Sequence, residues 1–150
     1  MTGGAGFLGS HLIDQLIKRN ERVICIDNLS TGHINNISHH LNNDFFEFIE
    51  HDVTVPIEIS CNRIWHLACP ASPIQYQKNP IKTTKTSFLG TYHMLGIARQ
   101  NKARLFFAST SEVYGDPEVS PQKESYKGSV NTIGRRSCYD EGKRVAESLC

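Results

Sequence analysis

A doubly wound, parallel α/β sheet is the fold this 150-residue chain predicts. Three observations carry that reading. Short apolar runs rich in β-branched residues alternate with stretches of helical periodicity, a glycine loop opens the first of those helices, and an acid closes the strand that follows it. Strands that alternate with helices need crossover connections, which impose parallel pairing and cover both faces of the sheet.

The elements follow in order. Gly3-Gly4-Ala5-Gly6 comes directly after Met1-Thr2, so the strand that normally leads into such a loop is almost absent. Leu8, Leu12, Ile13, Leu16 and Ile17 recur at helical spacing and predict an amphipathic helix over 7–19. The run 22–27, ending in Asp27, is short, mostly apolar and β-branched, which suits a buried parallel strand. A loop over 28–32 and a short helix over 34–41 come next, then a strand at 45–49 leading to His51-Asp52. A fourth strand covers 63–68. The stiff run Cys69-Pro70-Ala71-Ser72-Pro73 reads as a prolyl turn or a pocket wall. Asn79-Pro80 predicts a helix start, with Asn as cap and Pro in the first turn, and Phe88, Tyr92, Leu95 and Ala98 lie along one side of that helix. A fifth strand at 105–108 is followed by loops rich in Pro, Gly and Ser and by a closing helix that carries Tyr139. Residues 145–150 read as helix without a stop signal. The sequence is therefore expected to be one incomplete unit, 1–150, of a longer protein, truncated at both ends.

Composition narrows the function classes. The chain is 39% hydrophobic, enough for a sizeable core, and its net charge of +1 gives no nucleic-acid or membrane-binding surface. No apolar run is long enough to span a bilayer. The five cysteines are scattered and contain no C-x-x-C, so reduced thiols in a cytoplasmic protein are expected. His66 with Cys69, and the pair His39-His40, lack a second cluster in sequence, and no metal is expected at either.

Two regions carry chemistry. Gly3, Gly6 and Gly9 permit a tight turn and close backbone approach to a pyrophosphate, whose charge the following helix N-terminus stabilises. Asp27, at the end of the next strand, stands where a ribose 2′-hydroxyl would be met and where a 2′-phosphate would be repelled. Together they predict a Rossmann-like site for NAD rather than NADP. Asp52 follows the third strand, either beside the adenine or as a loop-capping acid, and Cys69 ends the fourth beside the same groove. The second region joins Thr110, Ser111 and Glu112, at the carboxyl end of the fifth strand, to Tyr139 and Lys143. Residues four apart share a helix face, so the Lys143 ammonium is expected beside the Tyr139 phenol. A phenol with a pKa of about 10 is a poor base, and a nearby cation lowers it. Tyr139 could then take a proton from a sugar hydroxyl as hydride leaves the same carbon. Thr110 offers a hydroxyl to a substrate oxygen. Glu112 suggests a further proton transfer beyond simple alcohol oxidation. The plainer alternative is that Thr110 to Glu112 caps a turn.

In this order the motifs resemble the extended short-chain dehydrogenase/reductase family, and within it the UDP-glucuronate decarboxylases. The stretches that carry the resemblance are 66–73, Asn79-Pro80-Ile81-Lys82-Thr83, 109–119 and 136–144. The resemblance implies oxidation at C4 of UDP-glucuronate with bound NAD, loss of carbon dioxide from the 4-keto acid, and re-reduction to UDP-xylose. It implies Tyr139 as base, Lys143 as its modulator and ribose partner, Thr110 and Ser111 at the substrate, and Glu112 assisting proton transfer. It implies cofactor contacts from Gly3, Gly6, Phe7, Leu8, Gly9, Asp27, Asn28, Ser30, Thr31, Gly32, Asp52, Val53, Leu67, Cys69, Thr86, Ala108, Tyr139 and Lys143. Lys85, Gly96 and Arg99 match positions associated with the sugar nucleotide, and a homodimer pairing through a helical face, the Tyr139 helix being the candidate, is expected of the full-length enzyme. A nucleotide-sugar 4,6-dehydratase and a catalytically inactive NAD-binding or interaction fragment stay open as alternatives.

Overall fold

The computed structural model describes residues 1–150 throughout. Four helices and four strands run in the order α1 (Phe7–Lys18), β1 (Val23–Asp27), β2 (Phe46–Glu50), β3 (Arg63–His66), α2 (Pro73–Lys78), α3 (Pro80–Asn101), β4 (Arg104–Phe107) and α4 (Ser137–Leu149). Three short 3-10 turns lie between them, at Ile34–Asn36, Ser38–His40 and Ser111–Tyr114.

All strand pairing is parallel. β1 pairs β2 with Val23 opposite Phe46, and β3 pairs β4 with Arg63 opposite Arg104. The two pairs do not touch directly. Thr2 bridges Ile26 on one side and His66 on the other, so the sheet order is β2-β1-Thr2-β3-β4. Three residues, Met1 to Gly3, hold the central slot of the sheet. Met1 O accepts from Ile26 N at 2.8 Å, Thr2 N donates to Trp65 O at 2.9 Å, and Gly3 N donates to Ile26 O at 2.8 Å. Thr2 Oγ1 also lies 2.6 Å from Nδ1 of the buried His66.

Helices cover both faces, as the alternation of Ile64 and Trp65 along β3 requires. On one face α1 packs Ile13 and Leu16 against Val23, Cys25 and Phe46, with Trp65 at the edge of the cluster. On the other, α3 packs Met94, Ile97 and Ala98 against Ile64. α4 lies beside α3, an approach that Gly142 permits: a Cβ there would stand 3.1 Å from the Ser87 side chain. No helix is long and apolar enough to cross a membrane.

Three expectations change. The 34–41 helix is two 3-10 turns with Ile37 buried between them. The prolyl run opens into α2, a short helix with Pro73 in its first turn that the sequence reading missed. The apolar side expected for α3 divides: Phe88, 39% exposed, and Tyr92, 59% exposed, face outward, whereas Ala98 lies in the core. Its buried face is Thr83, Thr86, Ser87, Gly90, Thr91, Met94, Ile97 and Ala98. Two of the hydroxyls tolerate burial because carbonyls accept from them, as Tyr76 O does from Thr83 at 2.9 Å and Lys82 O from Thr86 at 2.8 Å; Thr91 Oγ1 has no partner.

Candidate active site

A cleft of about 860 Å³ opens along the carboxyl ends of β1, the Thr2 slot, β3 and β4. Ligands bind at that edge of open α/β sheets, where the strand order reverses. Every residue predicted to contact the cofactor lines this cleft except Asp52.

The glycine loop forms one wall. Gly3 has φ +71, and a Cβ there would meet Ala68 N at 2.8 Å. A Cβ on Gly9 would stand 2.3 Å from Gly3 O. These two positions close the loop against β3 and against itself. Gly6 caps α1 in an extended conformation with no side-chain cap, and the first turn carries no acid. The first-turn amides therefore remain available to an anion. Asp27, 8% exposed, accepts from Ala5 N at 3.0 Å on Oδ2 and from Leu29 N at 2.9 Å on Oδ1. Each oxygen keeps a second acceptor position for a diol. The groove thus fits a dinucleotide: amides for the pyrophosphate and a carboxylate for the ribose.

Asp52 has another task. It is ion-paired to Lys82 at the start of α3 and accepts from Asn28 Nδ2 at 3.1 Å, Thr54 N at 2.9 Å and Thr54 Oγ1 at 2.7 Å. Burial alone would raise its carboxyl, but the bonds from Lys82, Thr54 and Asn28 outweigh it and hold the group well below the ordinary carboxylate range. It braces β2, the loop after β1, and α3, and it does not line the groove.

The opposite wall carries Tyr139 and Lys143 from α4. Tyr139 is 6% exposed and its ring stacks on that of the fully buried Tyr76 from α2, with centroids 4.9 Å apart and planes 5° apart. Burial pushes the phenol up to about 12, and the hydrogen bond with Thr110 pulls the other way. This corrects the expectation that Lys143 lowers the phenol directly. Lys143 Nζ instead donates to Ala108 O at 2.6 Å and lies 4.7 Å from the centre of the Phe107 ring. Burial also pulls the Lys143 ammonium down. Tyr76 Oη is buried with no hydrogen-bond partner, an orphan polar group at the site.

Thr110 serves two readings at once, since its Oγ1 also accepts from Glu112 N at 3.2 Å and so caps the 3-10 turn. Glu112 meets Asp140, the residue after Tyr139. Burial, and then the hydrogen bond with Glu112, raise the Asp140 carboxyl. With its carboxyl raised to about 6, Asp140 keeps its proton below that pH and gives it up above it. Ser111 is exposed and lies outside the groove lining. Lys85 is exposed on α3, and Gly96 and Arg99 line a separate cleft with Tyr92 and Leu149, so none of the three joins the groove. Sequence reasoning missed Tyr76 and Asp140. Pro73 in a helical first position would have flagged the first, and the position of Asp140 next to Tyr139 the second.

The GDP-mannose 4,6 dehydratase family model matches residues 1–150. The chain belongs to this family. It is thereby one of the extended short-chain dehydrogenases/reductases. It is 58% identical over 149 residues to UDP-glucuronic acid decarboxylase 4 of Arabidopsis thaliana, covering 99% of this chain and 34% of that relative. The chain thus spans about a third of that relative's length. Among solved structures, a UDP-galactose 4-epimerase matches with TM-score 0.83 and 31% identity, over 99% of this chain and 48% of the other. The UDP-glucose 4-epimerase of Thermus thermophilus in complex with NAD matches with TM-score 0.78 and 28% identity, over the same 99% and 48%. Both share this chain's fold over nearly its whole length.

Proposed function

We propose that this chain is the NAD-binding and proton-transfer part of a UDP-glucuronate decarboxylase that forms UDP-xylose and carbon dioxide. One observation carries the reading: Tyr139 and Lys143 converge, buried, on the wall of a groove whose other wall is the uncapped α1 N-terminus and Asp27. The 58% identity to a UDP-glucuronic acid decarboxylase supports the choice of substrate. The NAD complex of the Thermus thermophilus epimerase supports the choice of cofactor.

NAD in the groove would supply the hydride acceptor for C4 oxidation and the donor for its reversal. The chain's own residues handle the protons. Tyr139 accepts the C4 hydroxyl proton as that carbon is oxidised, and Thr110 holds the phenol in place. The sugar carboxylate is then β to a ketone. Its C–C bond breaks, carbon dioxide leaves, and the electron pair passes into the ketone oxygen as an enolate. A proton must return to C5, and Glu112, which meets Asp140 beside Tyr139, is the residue assigned to pass it. Hydride then returns to C4, and Tyr139 gives its proton back to the C4 oxygen. The balance is one proton taken up and one carbon dioxide released.

The full-length enzyme is expected to form a homodimer through its helical layer. Ile81, Phe88 and Tyr92 on α3 and Val145 on α4 are exposed apolar side chains that support this. Five free thiols support a reducing, cytoplasmic setting.

The test is product analysis of the full-length enzyme with UDP-glucuronate. UDP-xylose and carbon dioxide are expected, and Tyr139→Phe should lower turnover by roughly a thousand-fold while leaving NAD bound. A 4-keto-6-deoxy sugar from a UDP-hexose, or near-normal UDP-xylose formation by the Tyr139→Phe variant, would overturn the assignment.

A further inference from the structure

Outside the groove, one cluster of metal-ligating side chains joins α1 to the segment after the 28–32 loop. Asp14 lies in the second half of α1. His39 and His40 follow one another in the 3-10 turn Ser38–His40. Their Nε2 atoms lie 2.9 Å and 2.7 Å from the same oxygen, Asp14 Oδ1. A carboxylate only accepts, so each imidazole donates from Nε2. The three ligand atoms all lie within 4.8 Å of one another.

Consecutive residues do not ordinarily face one point, yet these two rings sit 4.1 Å apart at 44° and fold back on one carboxylate oxygen. His40 is held in place: its side chain is 12% exposed and its ring packs on Phe46 at 5.6 Å. The His39 side chain, 55% exposed, leaves an entry path for an ion and room for water. Two N–H groups crowd one oxygen, and a divalent cation in place of the two protons would be bound by all three groups. Tetrahedral ligands at about 2.0–2.2 Å from a zinc ion stand about 3.3–3.5 Å apart. The present spacing must therefore open by only about half an ångström. Two imidazoles and one carboxylate suit Zn²⁺ and its transition-metal neighbours, not the all-oxygen preferences of Mg²⁺ or Ca²⁺.

We propose that Asp14, His39 and His40 form a three-ligand site for a zinc-type divalent cation, with water in the open position, that clamps α1 to residues 33–41. The sequence alone hides the site because its third ligand lies 25 residues before the histidines. The clamp would reach the glycine loop. His33 N donates to Ala5 O at 3.1 Å, Asn36 Nδ2 donates to the same oxygen at 2.8 Å, and Ile37 is fully buried beneath. Metal that binds the folded chain raises its stability by linkage.

The experiment is titration of the metal-free 150-residue chain with Zn²⁺, followed by calorimetry and thermal unfolding, and with Co²⁺, followed by visible absorption. One equivalent of Zn²⁺ should bind and raise Tm. The Co²⁺ spectrum should show no thiolate charge-transfer band, and Mg²⁺ should not compete. His39→Ala, at an exposed position that leaves the fold intact, and Asp14→Asn should each weaken Zn²⁺ binding at least ~10-fold. Failure to bind Zn²⁺ at about 100 µM, a thiolate band, or unchanged affinity in His39→Ala would each overturn the proposal and leave an ordinary histidine–carboxylate hydrogen-bond cluster.

Discussion

Burial holds the Tyr139 phenol protonated at rest, with its pKa pushed up to about 12, so its activation as a base depends on positive charge brought to the groove. Lys143, 4% exposed and tethered to Ala108 O, supplies a fixed cation nearby without direct contact. The positive ring of oxidised NAD, when bound, would act in the same direction. Asp140 is the more revealing residue. Its carboxyl is raised to about 6, by burial first and then by its bond to Glu112. The folded chain thus binds that proton more tightly than the unfolded one, whose carboxyl titrates at about 3.9. This contribution favours folding at acid pH, is fully present below the unfolded value, and is lost as pH rises through about 6. Asp140→Asn should therefore stabilise the chain at pH 7.5 by on the order of 1–3 kcal/mol and change little at acid pH. Thermal melts of parent and variant across that range measure it, and a variant that melts lower than the parent at pH 7.5 would contradict it. The place of Tyr139 and Lys143 on one groove wall was legible from their spacing. Tyr76 and Asp140 were not, because stacking and carboxyl contact are set by how α2 and α4 dock rather than by any local pattern.

At the scale of elements, α3 shows where periodicity misleads. Phe88 and Tyr92 marked an apolar stripe, yet the buried face is rich in Thr and Ser. Apolarity was the wrong index for a face on which Thr83 and Thr86 pair their hydroxyls with backbone carbonyls, though Thr91 Oγ1 stays buried without a partner. The cap was read correctly: Asn79 accepts from Lys82 N at 3.0 Å. α2 escaped notice because six residues are too few to show a period, and Pro73 together with Pro70 before it read as a turn. Asp52, read as either an adenine contact or a loop-capping acid, does cap its loop, accepting from Thr54 N and Oγ1. Its depressed pKa means that its contribution is present above the unfolded value and lost as pH falls through the folded one. Asp52→Asn should cost about 1–2 kcal/mol at pH 7, with the cost shrinking as pH falls below about 4. Denaturant melts at several pH values would decide. Equal losses at pH 7 and pH 3 would show that the bonds from Lys82, Thr54 and Asn28 are not what the residue contributes.

For the whole molecule, the doubly wound sheet was legible because its signals are redundant: strand runs, crossover helices, a glycine loop and a strand-ending acid all agree. The central slot is filled by Met1 to Gly3, too short a run to read as a strand in sequence. The way Thr2 joins the two strand pairs was not legible either, since it rests on long-range backbone bonds. The groove at the switch point brings residues from both halves of the chain to one wall-to-wall site, and the account's central claim is that this site takes NAD. Asp27 is the residue that makes the claim specific, because its carboxylate offers acceptors to a diol and repels a phosphate. The most direct measurement is calorimetric titration of the 150-residue chain with NAD and with NADP, repeated on Asp27→Ala. The account predicts that NAD binds at least ~10-fold more tightly than NADP, and that Asp27→Ala weakens NAD and narrows the difference. Equal affinities for the two cofactors in the parent chain, or no NAD binding by a chain that is folded, would contradict it.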